Sequence, residues 1–165
     1  MRIAAKPAQT VSADEAAGLV RSGMWLDYGT SLCQPDVFDK ALGKRIPDLT
    51  NLKIRSCLTM KPRAVLDADP NGEHVHWFSL HFSGYDRKKH DEGRCHYIPV
   101  NLGEIPDYYR RFMAPVDIVI LKASPMDENG YFNLSASNLW HRAIIEHARL
   151  VIIETTKGNP YVYGV

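Results

Sequence analysis

Apolar and polar positions along the chain follow two rhythms, short runs of strand length and longer stretches with helical spacing. Val116–Leu121 (VDIVIL) is apolar at all but one position, and Leu150–Ile153 (LVII) at every one, as in strands covered on both faces. Leu52–Met60 alternates instead, with Leu52, Ile54, Leu58 and Met60 on one face until Lys61-Pro62 breaks it. Met24–Tyr28, the aromatic-rich His74–Phe82 and Cys95–Val100 complete the predicted strands. Helical patterns lie between them. Ser12-Ala13-Asp14-Glu15 reads as a capping box opening a helix striped by Ala16, Leu19 and Val20 and ended by Ser22-Gly23. Pro35 suits the first turn of a second helix, which pairs Val37 with Ala41 and Phe38 with Leu42. Asp67–Gly72 is a turn, Gly84–Gly93 a short surface helix, and Asn101–Glu104 a second capping box whose helix runs to Met113, with Pro106 in its first turn. Leu139–Ala148 is the last helix. Strands alternating with helices at these lengths predict βαβ units and a parallel or mostly parallel sheet.

The 165 residues, 45% of them hydrophobic, suffice for one globular domain with a core of its own. Twenty basic and nineteen acidic side chains leave a charge of +1, which offers no electrostatic footprint for nucleic acid or an anionic membrane. The amino terminus lacks the apolar run of a signal peptide and no eighteen apolar residues are consecutive, so the chain reads as soluble and cytoplasmic. Cys33, Cys57 and Cys95 are odd in number and widely spaced, which fits reduced, buried thiols better than a disulfide framework.

Two junctions carry candidate chemistry. Ser124–Asn138 (SPMDENGYFNLSASN) links an apolar strand to a helix, where open α/β sheets place ligands. Gly29–Pro35 (GTSLCQP) is again strand, small-residue loop and helix; it fits a tight turn and a ligand loop equally well, and it is neither a dinucleotide fingerprint nor a Walker sequence. The group His74, His76, His81, His90, Cys95 and His96 lacks metal-ligand spacing, so no metal is expected. Ser124 or Ser135 with His141 and Asp127 makes a triad on paper, without a nucleophile elbow to support it. Glu128-Asn129-Gly130 is a natural turn, and Glu104 reads as a helix cap.

Taken together, LDYGTSLCQP (26–35), FSGYDRK (82–88), YIPVNLGEIPDYYR (97–110) and VDIVILKASPMDENGYFNLSASN (116–138) resemble the acetyl-CoA hydrolase/transferase family, most of all its butyryl-CoA:acetate and 4-hydroxybutyrate CoA-transferases. The resemblance runs in register from about Ser12 onward. It implies an α/β fold of three layers, α/β/α, with a mostly parallel sheet, and two similar domains in a full-length chain that usually forms homo-oligomers. Residues 1–165 then correspond to the amino-terminal domain alone, ending before its last strand and without the catalytic second domain. The implied activity is ping-pong CoA transfer through a glutamyl-CoA intermediate, with the CoA thioester as a substrate and no further cofactor. The nucleophilic glutamate and the glycine-rich oxyanion loop belong to the second domain, Glu104 and Glu128 match neither, and no catalytic residue is assigned here.

What the resemblance leaves to this chain is a substrate-side wall for an acyl-CoA and a small carboxylate. It comprises Gly29, Thr30, Ser31, Gln34 and Pro35, then Ser83, Gly84 and Arg87, then Ser124, Asn133 and Ser135. Family members often carry a glycine near the position of Cys33 or Gln34, so the bulkier residues here bear on acyl-chain size. The expected partner is a second CoA-transferase domain or subunit. The alternatives are a noncatalytic domain that binds a partner or an acyl-CoA without turnover, and an acetyl-CoA hydrolase.

Overall fold

The computed structural model describes residues 8–135 and 137–163. Most of the amino-terminal stretch that lacks a signal-peptide pattern, and the last two residues of the tail, lie outside the described residues. Six strands, β1 (Trp25–Thr30), β2 (Leu52–Cys57), β3 (Val75–Ser79), β4 (Cys95–Tyr97), β5 (Ile118–Ala123) and β6 (Leu150–Thr155), form one sheet in the order β4-β3-β2-β1-β5-β6. Every pairing is parallel. The helices are α1 (Ala13–Ala17), α2 (Val37–Gly43), α3 (Ala64–Asp67), α4 (Gly84–Asp91), α5 (Ile105–Arg111) and α6 (His141–His147).

Side-chain alternation on β5 shows how three layers arise. Ile118 and Ile120 enter a core built with Ala16, Phe38, Leu42 and Leu66 from α1, α2 and α3. Val119 and Leu121 enter a second core with Ile105 and Tyr109 of α5 and Ala143 and Ile144 of α6. All six residues of β5 are buried, because a strand between two helical layers has no solvent face. The fold is therefore the expected three-layer α/β/α arrangement, with a wholly parallel sheet.

Several boundaries differ from expectation. The Ser12–Glu15 capping box forms, but α1 stops at Ala17 with Gly18 as its cap, so Leu19 is exposed while Val20 stays buried. β1 runs on through Gly29 and Thr30. β2 ends at Cys57, since Leu58 turns left-handed at φ 49°; Leu58 packs into the second core and Met60 is exposed. The second capping box does not form: Asn101 Oδ1 accepts from Gly103 N at 3.1 Å and leads a 3-10 turn, while Glu104 makes no capping hydrogen bond. An unanticipated box forms at α4, where Ser83 and Asp86 exchange hydrogen bonds. β6 is apolar as predicted yet half-covered, being an edge strand.

Candidate functional site at the carboxyl ends of the strands

With every strand parallel, all carboxyl ends open on one edge of the sheet. The order β2-β1-β5 makes the loops after these three strands neighbours. Of the four non-glycine residues described with positive φ, three lie in these loops: Ser31 (54°), Leu58 (49°) and Ser135 (53°). Such backbone costs about 1–3 kcal/mol per residue and persists only where surrounding contacts impose it.

Those contacts are visible. The Cys33 thiol donates to the Leu134 carbonyl at 3.0 Å, tying the β1 loop to the β5 loop. Gln34 Nε2 donates to the Cys57 carbonyl at 3.1 Å, tying it to β2. Gly29 N donates to Asp27 Oδ1 at 2.7 Å. At φ 63°, a Cβ on Gly29 would stand 2.6 Å from Leu121 Cδ2 and 2.7 Å from His141 Nε2, so only glycine fits. The imidazole of His141 accepts from Leu139 N through Nδ1 at 3.3 Å, which assigns its proton to Nε2. Burial holds this ring neutral, with its pKa brought down to about 4.

Beside the rim, one carboxylate collects three cations. Asp36 meets Lys122 Nζ at 2.8 Å, Lys61 Nζ at 3.0 Å and Arg63 Nη1 at 3.4 Å. Partial burial would raise its pKa, but the bonds from Lys122 and Lys61 and the charges of Lys122 and Arg63 bring it down to about 2. Glu154 of β6 reaches under α2 and accepts from the amides of Asp36, Val37 and Phe38, each at 2.9 Å. Asp39 behaves oppositely: burial pushes its carboxyl up to about 6 despite a 2.6 Å bond from Ala64 N.

Around this frame the expected wall residues divide. The β1–β5 pairing and the Cys33–Leu134 bond set the loop that holds Gly29, Thr30, Ser31, Gln34 and Pro35 beside the loop that holds Ser124, Asn133 and Ser135. Thr30 and Gln34 are buried, and Gln34 spends its amide on β2. Ser124 Oγ accepts from Asn133 N at 3.2 Å, closing the neck of the β5 loop. Asn133 and Ser135 tie down the tail, through Asn133 Nδ2 to the Val162 carbonyl at 2.8 Å and Ser135 Oγ to the Pro160 carbonyl. Ser83, Gly84 and Arg87 stand apart at the start of α4, beyond β3 and separated from β1 by β2. They reach the rim indirectly: Asp86 Oδ2 accepts from Ser83 N and from Thr59 N, each at 2.9 Å, and Thr59 follows β2.

The paper triad does not assemble. His141 is buried against Gly29, while Asp127 Oδ1 accepts from Asn129 N at 2.9 Å and Tyr131 N at 2.8 Å as a local turn. Glu128 is exposed in that turn. Among the described residues no three His, Cys, Asp or Glu side chains are grouped to hold a metal, and His74 and His90 are bonded to the carbonyls of Leu49 and Cys95. The three thiols are free and buried. No described helix is long and apolar enough to cross a membrane.

Sequence reasoning missed the Asp36 cluster, Glu154 and the Gly29–His141 contact. Lys122 was the available signal, since a lysine within a fully buried strand must have a partner. Glu154 and His141 act on residues more than a hundred positions away, which no local pattern reveals.

A parallel sheet covered by helices on both faces, with a constrained loop rim at its carboxyl edge, places the chain among the three-layer α/β domains. Within that class, the acetyl-CoA hydrolase/transferase N-terminal domain matches residues 5–165, and the chain belongs to this family. It is 39% identical over 153 residues to the butyryl-CoA:acetate CoA-transferase of Anaerostipes caccae, covering 93% of this chain and 34% of that protein. A probable butyrate:acetyl-CoA coenzyme A-transferase of Syntrophomonas wolfei is 36% identical, with 93% and 34% covered. The crystal structure of RipA from Yersinia pestis superposes with a TM-score of 0.78 at 25% identity, over 93% of this chain and 38% of that one. The chain thus spans about a third of the length of its curated relatives.

Proposed function

We propose that this domain forms the substrate-side half of a short-chain acyl-CoA:carboxylate CoA-transferase, exchanging butyryl-CoA or 4-hydroxybutyryl-CoA with acetate. The observation that carries the reading is the rim. The loops after β1, β2 and β5 are locked to one another over buried polar groups and raise exposed Leu32, Met60 and Met126 at the same edge. Apolar side chains around a fixed backbone suit a short acyl chain.

In this proposal the nucleophile is a glutamate on a second domain or subunit that closes over the rim. Its carboxylate attacks the thioester carbonyl, forming a mixed anhydride and releasing CoA thiolate. The thiolate returns to the glutamyl carbonyl, the acyl carboxylate leaves, and a glutamyl-CoA thioester remains. Acetate reverses both steps, so no net proton or electron is required. The residues of this chain orient the acyl group and exclude water, which separates transfer from hydrolysis. The assembled enzyme would be cytoplasmic and homo-oligomeric.

Mass spectrometry after incubation with butyryl-CoA tests the assignment. The expected result is a glutamyl-CoA adduct on a supplied second-domain polypeptide and none on this chain. An adduct on this chain would overturn it.

A further inference from the structure

On the α5 face of the sheet, Arg55 of β2 has a side chain only 5% exposed. A guanidinium carries five N–H donors, and the described residues take one of them: Nη2 donates to the Ala114 carbonyl at 2.8 Å. Nε is buried without a hydrogen-bond partner. The nearest carboxylate, Asp27, lies 3.8 Å from Nε, beyond hydrogen-bond range. Its oxygens are engaged by the Tyr109 hydroxyl at 2.6 Å and by Gly29 N at 2.7 Å. The rings of Trp25 and Tyr109 flank the cation at 5.2 and 5.0 Å.

The same Arg55 lines a cavity of about 270 Å³ together with Trp25, Ile98, Met113 and Ala114. A guanidinium with free N–H donors, ion-paired with Asp27 but not hydrogen-bonded to it, at the wall of an otherwise apolar cleft is the complement of one small anion bearing an apolar tail. Arg favours planar, two-oxygen acceptors, and a carboxylate presents them. With Asp27 already facing the guanidinium, a phosphate dianion would add two further negative charges where a monocarboxylate adds one, and a neutral alcohol would bring no charge to the guanidinium.

We propose that this cavity binds a short-chain aliphatic monocarboxylate, its carboxylate on the Arg55 guanidinium and its tail against Trp25, Ile98 and Met113. The inference does not depend on the acyl-transfer reading. It carries a structural consequence, because Asp27 stands between Arg55 and Gly29: a bound carboxylate shares the guanidinium with Asp27, whose other oxygen fixes the β1 turn.

The test is a titration of the whole chain with sodium hexanoate, followed by the three tryptophan indole resonances in nitrogen-15 spectra, with Trp25 assigned by Trp25→Phe. The Trp25 indole is expected to shift saturably while those of Trp77 and Trp140, both buried elsewhere, stay in place. 1-Hexanol, with the same tail and no charge, should bind about tenfold or more weakly. Arg55→Met should abolish the hexanoate response. Because that change strands Asp27, Ala114→Leu serves as the second variant: it enlarges a side chain that lines the cavity, keeps the carbonyl that Arg55 uses, and should also abolish binding. No saturable shift, equal binding of hexanol, or undiminished binding in a folded Ala114→Leu protein would each overturn the proposal.

Discussion

Gly29 and His141 constrain one another. The left-handed glycine leaves room for an imidazole that burial keeps neutral, and the ring in turn fills the space a side chain would need. Gly29→Ala should therefore destabilise the fold by about 2–4 kcal/mol in urea unfolding, through backbone strain and overpacking together; an unchanged midpoint would contradict the contact. His141 and Asp39 should leave opposite marks on the pH dependence of stability. The folded pKa of His141, about 4, lies below the ordinary 6.5, so its contribution weakens as pH falls from 6.5 towards 4. That of Asp39, about 6, lies above the ordinary 3.8, so its contribution weakens as pH rises from 3.8 towards 6. Each amounts to about 3 kcal/mol and the two offset one another in the wild type. Unfolding of Asp39→Asn between pH 4 and 6 should show stability rising with pH relative to wild type, and His141→Gln should show it falling. Wild-type slopes in both variants would refute the assignment. The sequence marked Gly29 as part of a small-residue loop, but not why glycine is required there, because His141 lies 112 positions further on and only the fold brings it near.

Among the elements, α2 shows what local patterns carry and what they omit. Its apolar pairing reads from sequence, and Phe38, Ala41 and Leu42 are buried as expected, with Val37 left exposed. Its amino-terminal partner does not read from sequence, since Asp36 makes no capping bond and Glu154 supplies the acceptor from the far edge strand. Glu154→Gln keeps the shape but weakens three amide contacts and the charge at the helix start, and should cost about 1–2 kcal/mol in denaturant unfolding. Loss of less than a few tenths would mean that the three amides are satisfied by solvent. The Ser83–Asp86 box is equally local, but aspartate stands where the Ser-x-x-Glu pattern has glutamate. β5 was the most legible strand, its apolar run reporting both helical layers. β6 has the same composition at an edge, where composition alone cannot tell half-cover from full cover.

At the scale of the molecule, strand–helix alternation was enough to foresee a parallel α/β sheet. Strand order was not, since it depends on long-range pairings such as that of β1 with β5. That order is what makes the loops after β2, β1 and β5 one rim, with Leu32, Met60 and Met126 exposed along it and Leu139 exposed ahead of α6. Apolar side chains raised on one edge favour contact with another surface. Gel filtration of this chain alone should show self-association that increases with concentration, and Met60→Glu should reduce it; a strictly monomeric wild type would count against the rim as a docking edge. In the proposed function this domain supplies the substrate side of CoA transfer and the nucleophile comes from elsewhere. Its most direct test is the rate of CoA transfer from butyryl-CoA to isotopically labelled acetate, measured with this chain alone and with a second-domain polypeptide added. No transfer is expected from the chain alone, and transfer when both are present; transfer by the chain alone would contradict the proposed function.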